Sequence, residues 1–213
     1  MATARKSLSR ARILAAALEL VDEQGIEALS MRKLGQSLGF EAMSLYNHVA
    51  NKDDLVDGIL DLVLAEMEPP ALDGGLPAIR SSALAAHDAL RRHPWAARLL
   101  MASGSVRPAR IEYMDALLGA LRNAGFSPET TYHAYHVLDA HIVGFSLWQT
   151  AHGTIPEDIE DVRGFIDEMV PPATYPHLHE HALQHLEGGP HQDVPAFEYG
   201  LDLLLESLER LKS

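Results

Sequence analysis

The stretch MRKLGQSLGFEAMSLYNHVANKDDL, residues 31–55, limits the possible folds more than any other part of this chain. It carries two helical patterns of about two turns each, split by Gly39, then a further helix opening on Asp53 and Asp54. Helices this short are marginal in water and persist only when packed against a partner. Leu34 and Leu38 repeat at i, i+4 on the first, and Leu45 and Val49 do so on the second, so each has one apolar edge to offer the other. Gly35 falls where the two would cross, and Gly39 supplies the positive φ of a tight turn.

The rest of the chain reads as helix too. Ser9 caps a first helix with Ile13, Ala17, Leu20 and Val21 on one stripe, and Gly25 ends it. Ser30 caps the second helix, the third is expected over 41–49, and Asn51 caps a fourth that turns Leu55, Ile59 and Val63 inward. Pro69-Pro70 and Gly74-Gly75 form the clearest boundary. Beyond it, helices are expected over 77–92, 95–102, 108–123, 128–152, 159–169, 177–186 and 195–211, with no alternating strand pattern. The predicted fold class is all-α. A three-helix helix-turn-helix module occupies 1–52, the fourth helix (52–67) is a connector, and a larger helical domain fills 68–213.

A short helix, a glycine turn and a second short helix is the arrangement that places one helix in a DNA major groove. The outward positions of the third helix support this, because they are small, polar or hydroxyl-bearing and include one acid only, where a merely solvated face would carry several Lys and Glu. The net charge of −13 divides unevenly: residues 1–52 carry +2 and the remainder −15. An acidic body repels phosphate, so double-stranded DNA contact is expected at the N-terminal module alone. Arg5, Lys6, Arg10 and Arg12 form a basic arm, read more readily as a solvated tail than as a phosphate or minor-groove contact.

The residues that carry a resemblance are ILAAALELVDEQGIEALSMRKLGQSLGF and SLYNHVANKDDLVDGIL. This segment resembles the N-terminal module of TetR-type bacterial transcriptional regulators, and RNAGFSPE with FEYGLDLLLESLE is similar in layout to the tetracycline-repressor branch. The resemblance implies phosphate contacts from Tyr46, His48 and Lys52, and contacts from Ser30, Met31 and Arg32 where the second helix begins. It places Ala42, Met43, Ser44 and Asn47 on the base-reading face. Ala42 and Met43 depart from the tetracycline repressor's polar residue and proline; they cannot hydrogen-bond a base edge, although either can touch a thymine methyl. It also implies a homodimer through helices 128–152 and 195–211, with Gly144 and Gly200 permitting close crossings, and a small-molecule effector in the larger domain.

For that effector, His87, His141, Phe145 and Trp148 stand on otherwise apolar stripes, with Met101 and Met114 as adaptable wall residues. They suit a flat or aromatic ligand. Laid on the tetracycline repressor, Trp148 falls at a glutamate of the magnesium–drug site, 98–107 offers no histidine, and Glu68 replaces a drug-binding histidine. An effector other than magnesium–tetracycline is therefore expected, with no cofactor and no metal in the site. Repression is expected over activation by family habit alone.

Two alternatives compete. His177, His181 and His185 share a helical face at i, i+4, i+8, so a pair could hold a divalent metal, which would make a metal-responsive regulator. An all-α enzyme is more remote: the sequence holds no paired Glu-x-x-His, no Gly-x-Ser-x-Gly, no HExxH and no cysteine nucleophile. With no cysteine and no apolar run of membrane-spanning length, a cytoplasmic location without membrane contact is expected.

Overall fold

The computed structural model describes residues 7–102, 107–152, 159–187 and 195–212, which contain helices and turns and no strand. Local chemistry sets the first boundaries. α1 (Arg10–Gln24) begins where the Ser9 hydroxyl accepts from the Arg12 N–H, and it ends at Gly25 with φ 81°. A 3-10 turn (Ile26–Ala28) leads into α2 (Met31–Leu38), capped by the Ser30 hydroxyl and closed by left-handed Gly39. α3 (Ala42–Leu45) and α4 (Lys52–Ala65) follow.

The larger part is built from α5 (Gly75–Arg92), α6 (Pro94–Ala102), α7 (Pro108–Asn123), α8 (Pro128–His152) and α11 (Ala196–Arg210), with α9 (Ile159–Met169) and α10 (Pro176–Glu187) between the last two. Two apolar clusters result. One gathers α1, α2, α3 and the first half of α4 around Ile13, Leu34, Leu45, Leu55 and Ile59. The other packs Leu60, Val63 and Leu64 of α4, and Met67 just beyond it, with α5, α6, α7, α8 and α11. α4 therefore belongs to both.

Ion pairs bind the helices of the larger cluster at their edges. Arg80 of α5 grips Asp202 (2.6 Å) and Glu198 (2.8 Å) of α11. Arg110 of α7 pairs with Asp139 of α8. Arg107, at the cap of α7, reaches Asp57 and Asp61 of α4 and donates to the Asp57 carbonyl. That last pairing fixes α4 to the larger domain through charge as well as through apolar contact.

The third helix differs from the sequence expectation. It stops at Leu45 rather than running to 49, because the N–H groups of both His48 and Val49 bond to the Leu45 carbonyl and close a turn. α5 starts two residues earlier than expected, at Gly75. Arg10 is also not part of a free arm. Its guanidinium bonds both carboxylate oxygens of Asp54 (2.7 and 2.9 Å) and the His48 carbonyl (3.2 Å). Arg12 lies over the Phe40 ring. Arg5 and Lys6 lie outside the described residues.

Candidate DNA interface and effector site

The α2–α3 crossing is as close as a peptide allows. A Cβ on Gly35 would sit 2.8 Å from the Phe40 carbonyl and 3.2 Å from the Ala42 nitrogen, both backbone atoms. Leu45 is the one buried residue of α3, and Val49 follows it into the core. The opposite side faces out: Met43 is 73% exposed, Tyr46 46%, and Asn47 and Arg32 are exposed as well. Ser44 and His48 are half-buried.

One expected contact needs correction. The Met31 side chain is buried in the core of the module, which removes it from any groove-facing surface. Ala42 is half-buried at the α2–α3 crossing, so helix packing takes much of its surface. The Ser30 hydroxyl is exposed but already accepts from the Lys33 N–H (3.2 Å).

The turn between α3 and α4 is held by a reciprocal cap. Asn51 Oδ1 accepts from the Asp54 N–H, while Asp54 accepts from the Ala50 N–H, each at 2.8 Å. Arg10 closes the same turn from α1. Its hydrogen bonds, with the Ala50 bond, hold the Asp54 carboxyl down to about 2. A depressed carboxyl stabilises the fold fully above its unfolded value near pH 4, and that contribution is lost as pH falls toward 2. Asp54→Ala is expected to loosen residues 46–51 by about 1–2 kcal/mol, read as faster amide exchange there with the larger domain unchanged.

A second site forms between α5, α8 and α11. The His87 imidazole lies parallel to the Phe197 ring, with centroids 3.7 Å apart and an 8° tilt, and His141 lies at 4.7 Å and 18°. Two rings at those separations would overlap on one face, so Phe197 is sandwiched between them. Phe145 meets both imidazoles edge-on or tilted at 5.7 Å, and Trp148 stands 5.6 Å beyond Phe145. Thus four of the six sequence candidates converge: His87, His141, Phe145 and Trp148. Met114 is half-buried against the same core, whereas Met101 is 68% exposed and joins none of these rings.

Sequence reasoning missed Phe197 and Ser146. The Ser146 hydroxyl donates to the Ile142 carbonyl (2.8 Å) and meets His87 Nδ1 at 3.2 Å. Gly200 also proves to act within one subunit. A Cβ there would meet His141 Cε1 at 2.6 Å, while Gly144 faces open space. Gly200→Ala is expected to push His141 off Phe197 and cost about 1–3 kcal/mol, measured by thermal unfolding and by the His141 ring-proton shifts.

The comparisons with known proteins agree with this geometry. A model of the bacterial regulatory proteins of the tetR family matches residues 13–59, and one of the tetracyclin repressor-like C-terminal domain matches residues 78–211. The chain belongs to the TetR family. A transcriptional regulator of Saccharopolyspora erythraea is 36% identical over 150 residues, 67% of this chain but only 63% of that protein. The repressor DrrR1 of Streptomyces coeruleorubidus is 30% identical over 97% of this chain and 79% of its own length. Among solved structures, ActR of Streptomyces coelicolor in complex with actinorhodin superposes with a TM-score of 0.73 at 27% identity, covering 97% of this chain and 99% of its own.

The TetR-family chain is thus a DNA-binding transcriptional regulator by family. Its two modules meet at a polar joint that the sequence did not announce. Asp22 Oδ1 of α1 accepts from Trp95 Nε1 and contacts His93 Nδ1, both at 2.8 Å. Glu66, just past α4, meets His93 Nε2 at 3.4 Å and Arg92 at 2.6 Å. In the metal alternative, His177 and His181 are exposed on α10, and the His185 side chain lies outside the described residues. His179, midway between His177 and His181 in sequence and off their shared face, bonds the Val170 carbonyl (2.8 Å) and ties α10 to α9. Among the described residues no helix is long and apolar enough to cross a membrane.

Proposed function

We propose that this TetR-family chain is a homodimeric repressor, released from a palindromic operator by a small molecule other than magnesium–tetracycline. The carrying observation is that α4 contributes to both apolar clusters: Leu55 and Ile59 anchor it under the reading head, and Leu60, Val63 and Leu64 anchor it in the larger domain. A displacement of one end of such a helix is felt at the other. The effector must bind the DNA-incompetent arrangement more tightly, since equal affinity for both shifts nothing.

In this reading Tyr46 and Lys52 hold phosphates, with His48 and Arg32 beside them, and Met43, Ser44 and Asn47 face base edges. Lys52 opens α4, where the helix dipole disfavours a cation, and it is exposed. An anion in front of it turns that cost into a gain. Dimerisation rests on the outward apolar faces of α8 (Tyr132, Val137) and α11 (Tyr199, Leu203). Two reading heads are also needed because one short helix gives little affinity. The effector reading rests on the His87–Phe197–His141 stack, and a relative of 27% identity is solved holding a small molecule.

The test is binding to duplexes selected from a random library across a range of salt. Lys52→Ala is expected to weaken binding to all sequences and reduce the salt slope by about one, as for a lost phosphate contact. No retention of any duplex at low salt would sink the proposal.

A further inference from the structure

We propose that the effector is an uncharged aromatic molecule carrying a hydroxyl, which it donates to His87 Nε2. This deepens the effector site proposed above and rests on that reading. Three observations lead to it. First, Ser146 spends its one proton on the Ile142 carbonyl, so toward His87 its oxygen can only accept. His87 must then carry its proton on Nδ1, which leaves Nε2 a bare acceptor. Second, among the described residues Nε2 has no hydrogen-bond partner. His87 is only 7% exposed, so that lone pair lies beside an aromatic surface with little water to satisfy it. Third, a half-turn of the ring would keep its stacking on Phe197 but give up the Nδ1 contact with Ser146, which favours the edge observed.

This imidazole has no donor to spare for a carboxylate, because its Nδ1 proton is taken by Ser146. Burial pushes the His87 ring down to about 4, so it stays neutral near pH 7. Ser146 is a positioning residue: it fixes the tautomer without touching the ligand.

Equilibrium dialysis of the full chain against dihydroxynaphthalene, dimethoxynaphthalene and naphthoate tests the proposal. Dihydroxynaphthalene is expected to bind at least about tenfold tighter than either of the others, the difference made by one hydrogen bond to a buried acceptor. His87→Phe keeps a flat ring on Phe197 but removes the acceptor, so the preference should fall to about onefold. Ser146→Ala, a milder change, frees the imidazole to take either tautomer and should narrow the gap to naphthoate. Failure of dihydroxynaphthalene to bind, equal binding of all three, or tightest binding by naphthoate would overturn the inference. So would a preference unchanged in His87→Phe. Retention of a selected duplex is measured in the same wild-type sample. Loss of retention fails the regulator reading, whereas retention combined with any overturning outcome fails the ligand class alone.

Discussion

Leu45→Ala is expected to abolish operator binding while leaving the larger domain folded. Leu45 is fully buried and is the only buried residue of a four-residue helix, so no neighbour on α3 can share its loss. Truncating a buried leucine costs about 2–5 kcal/mol, the upper part of that range applying where the surroundings cannot collapse. Collapse is blocked here because Gly35 already brings α2 within contact of the Phe40 carbonyl and Ala42 nitrogen. The cost falls on residues 31–51, whose amides should exchange rapidly, while those of α5, α7 and α8 stay protected. Denaturant unfolding would then show an early transition confined to the N-terminal module. Equal protection of both modules in the variant would contradict this.

Phe197→Ala is the second large effect, expected at about 3–5 kcal/mol. Phe197 is 2% exposed, faces both His87 and His141, and gives its carbonyl to His141 Nε2 at 2.9 Å. Removing the ring leaves two imidazoles with no shared surface and weakens the seat of α11 on α5 and α8. The edge pairs of Arg80 with Asp202 and Glu198 remain, so α11 should stay attached but tilt more freely. The variant should lose effector response before it loses DNA binding. A pH scan adds a signature. In the native protein His87 resists protonation, so its contribution is complete above about pH 6.5 and is lost as pH falls toward 4. With Phe197 gone the imidazole is wetter and that part of the acid sensitivity should shrink.

Features written in short sequence windows were legible. The caps at Ser9, Ser30 and Asn51 and the positive-φ stops at Gly25 and Gly39 fixed helix ends, because each acts within four residues. The inward stripe of α4 was visible for the same reason, and Leu55, Ile59 and Val63 are all fully buried. What was not legible lies far apart in the chain. Arg10 meets Asp54 across 44 residues, His141 meets Phe197 across 56, and Asp22 meets His93 across 71. No periodicity encodes such pairings. The early end of α3 was hidden too, since Leu45 and Val49 keep helical spacing while the chain between them turns.

The polar joint suggests how the two modules stay in register. Asp22 and Glu66 approach His93 from the two elements that carry the reading head, α1 and the end of α4. Breaking either side should loosen the head on the larger domain without unfolding either cluster. Asp22→Asn is expected to keep one donor or acceptor bond but lose its charge, weakening operator binding by a factor of a few, read by gel shift.

The central claim, a dimer reading a symmetric site, is most directly tested by the mass of the protein–DNA complex formed on the duplex that random selection yields. Two chains per duplex are expected, on a two-fold symmetric sequence whose half-sites lie about one helical turn, or a multiple of it, apart. One chain per duplex, or an asymmetric selected sequence, would contradict it.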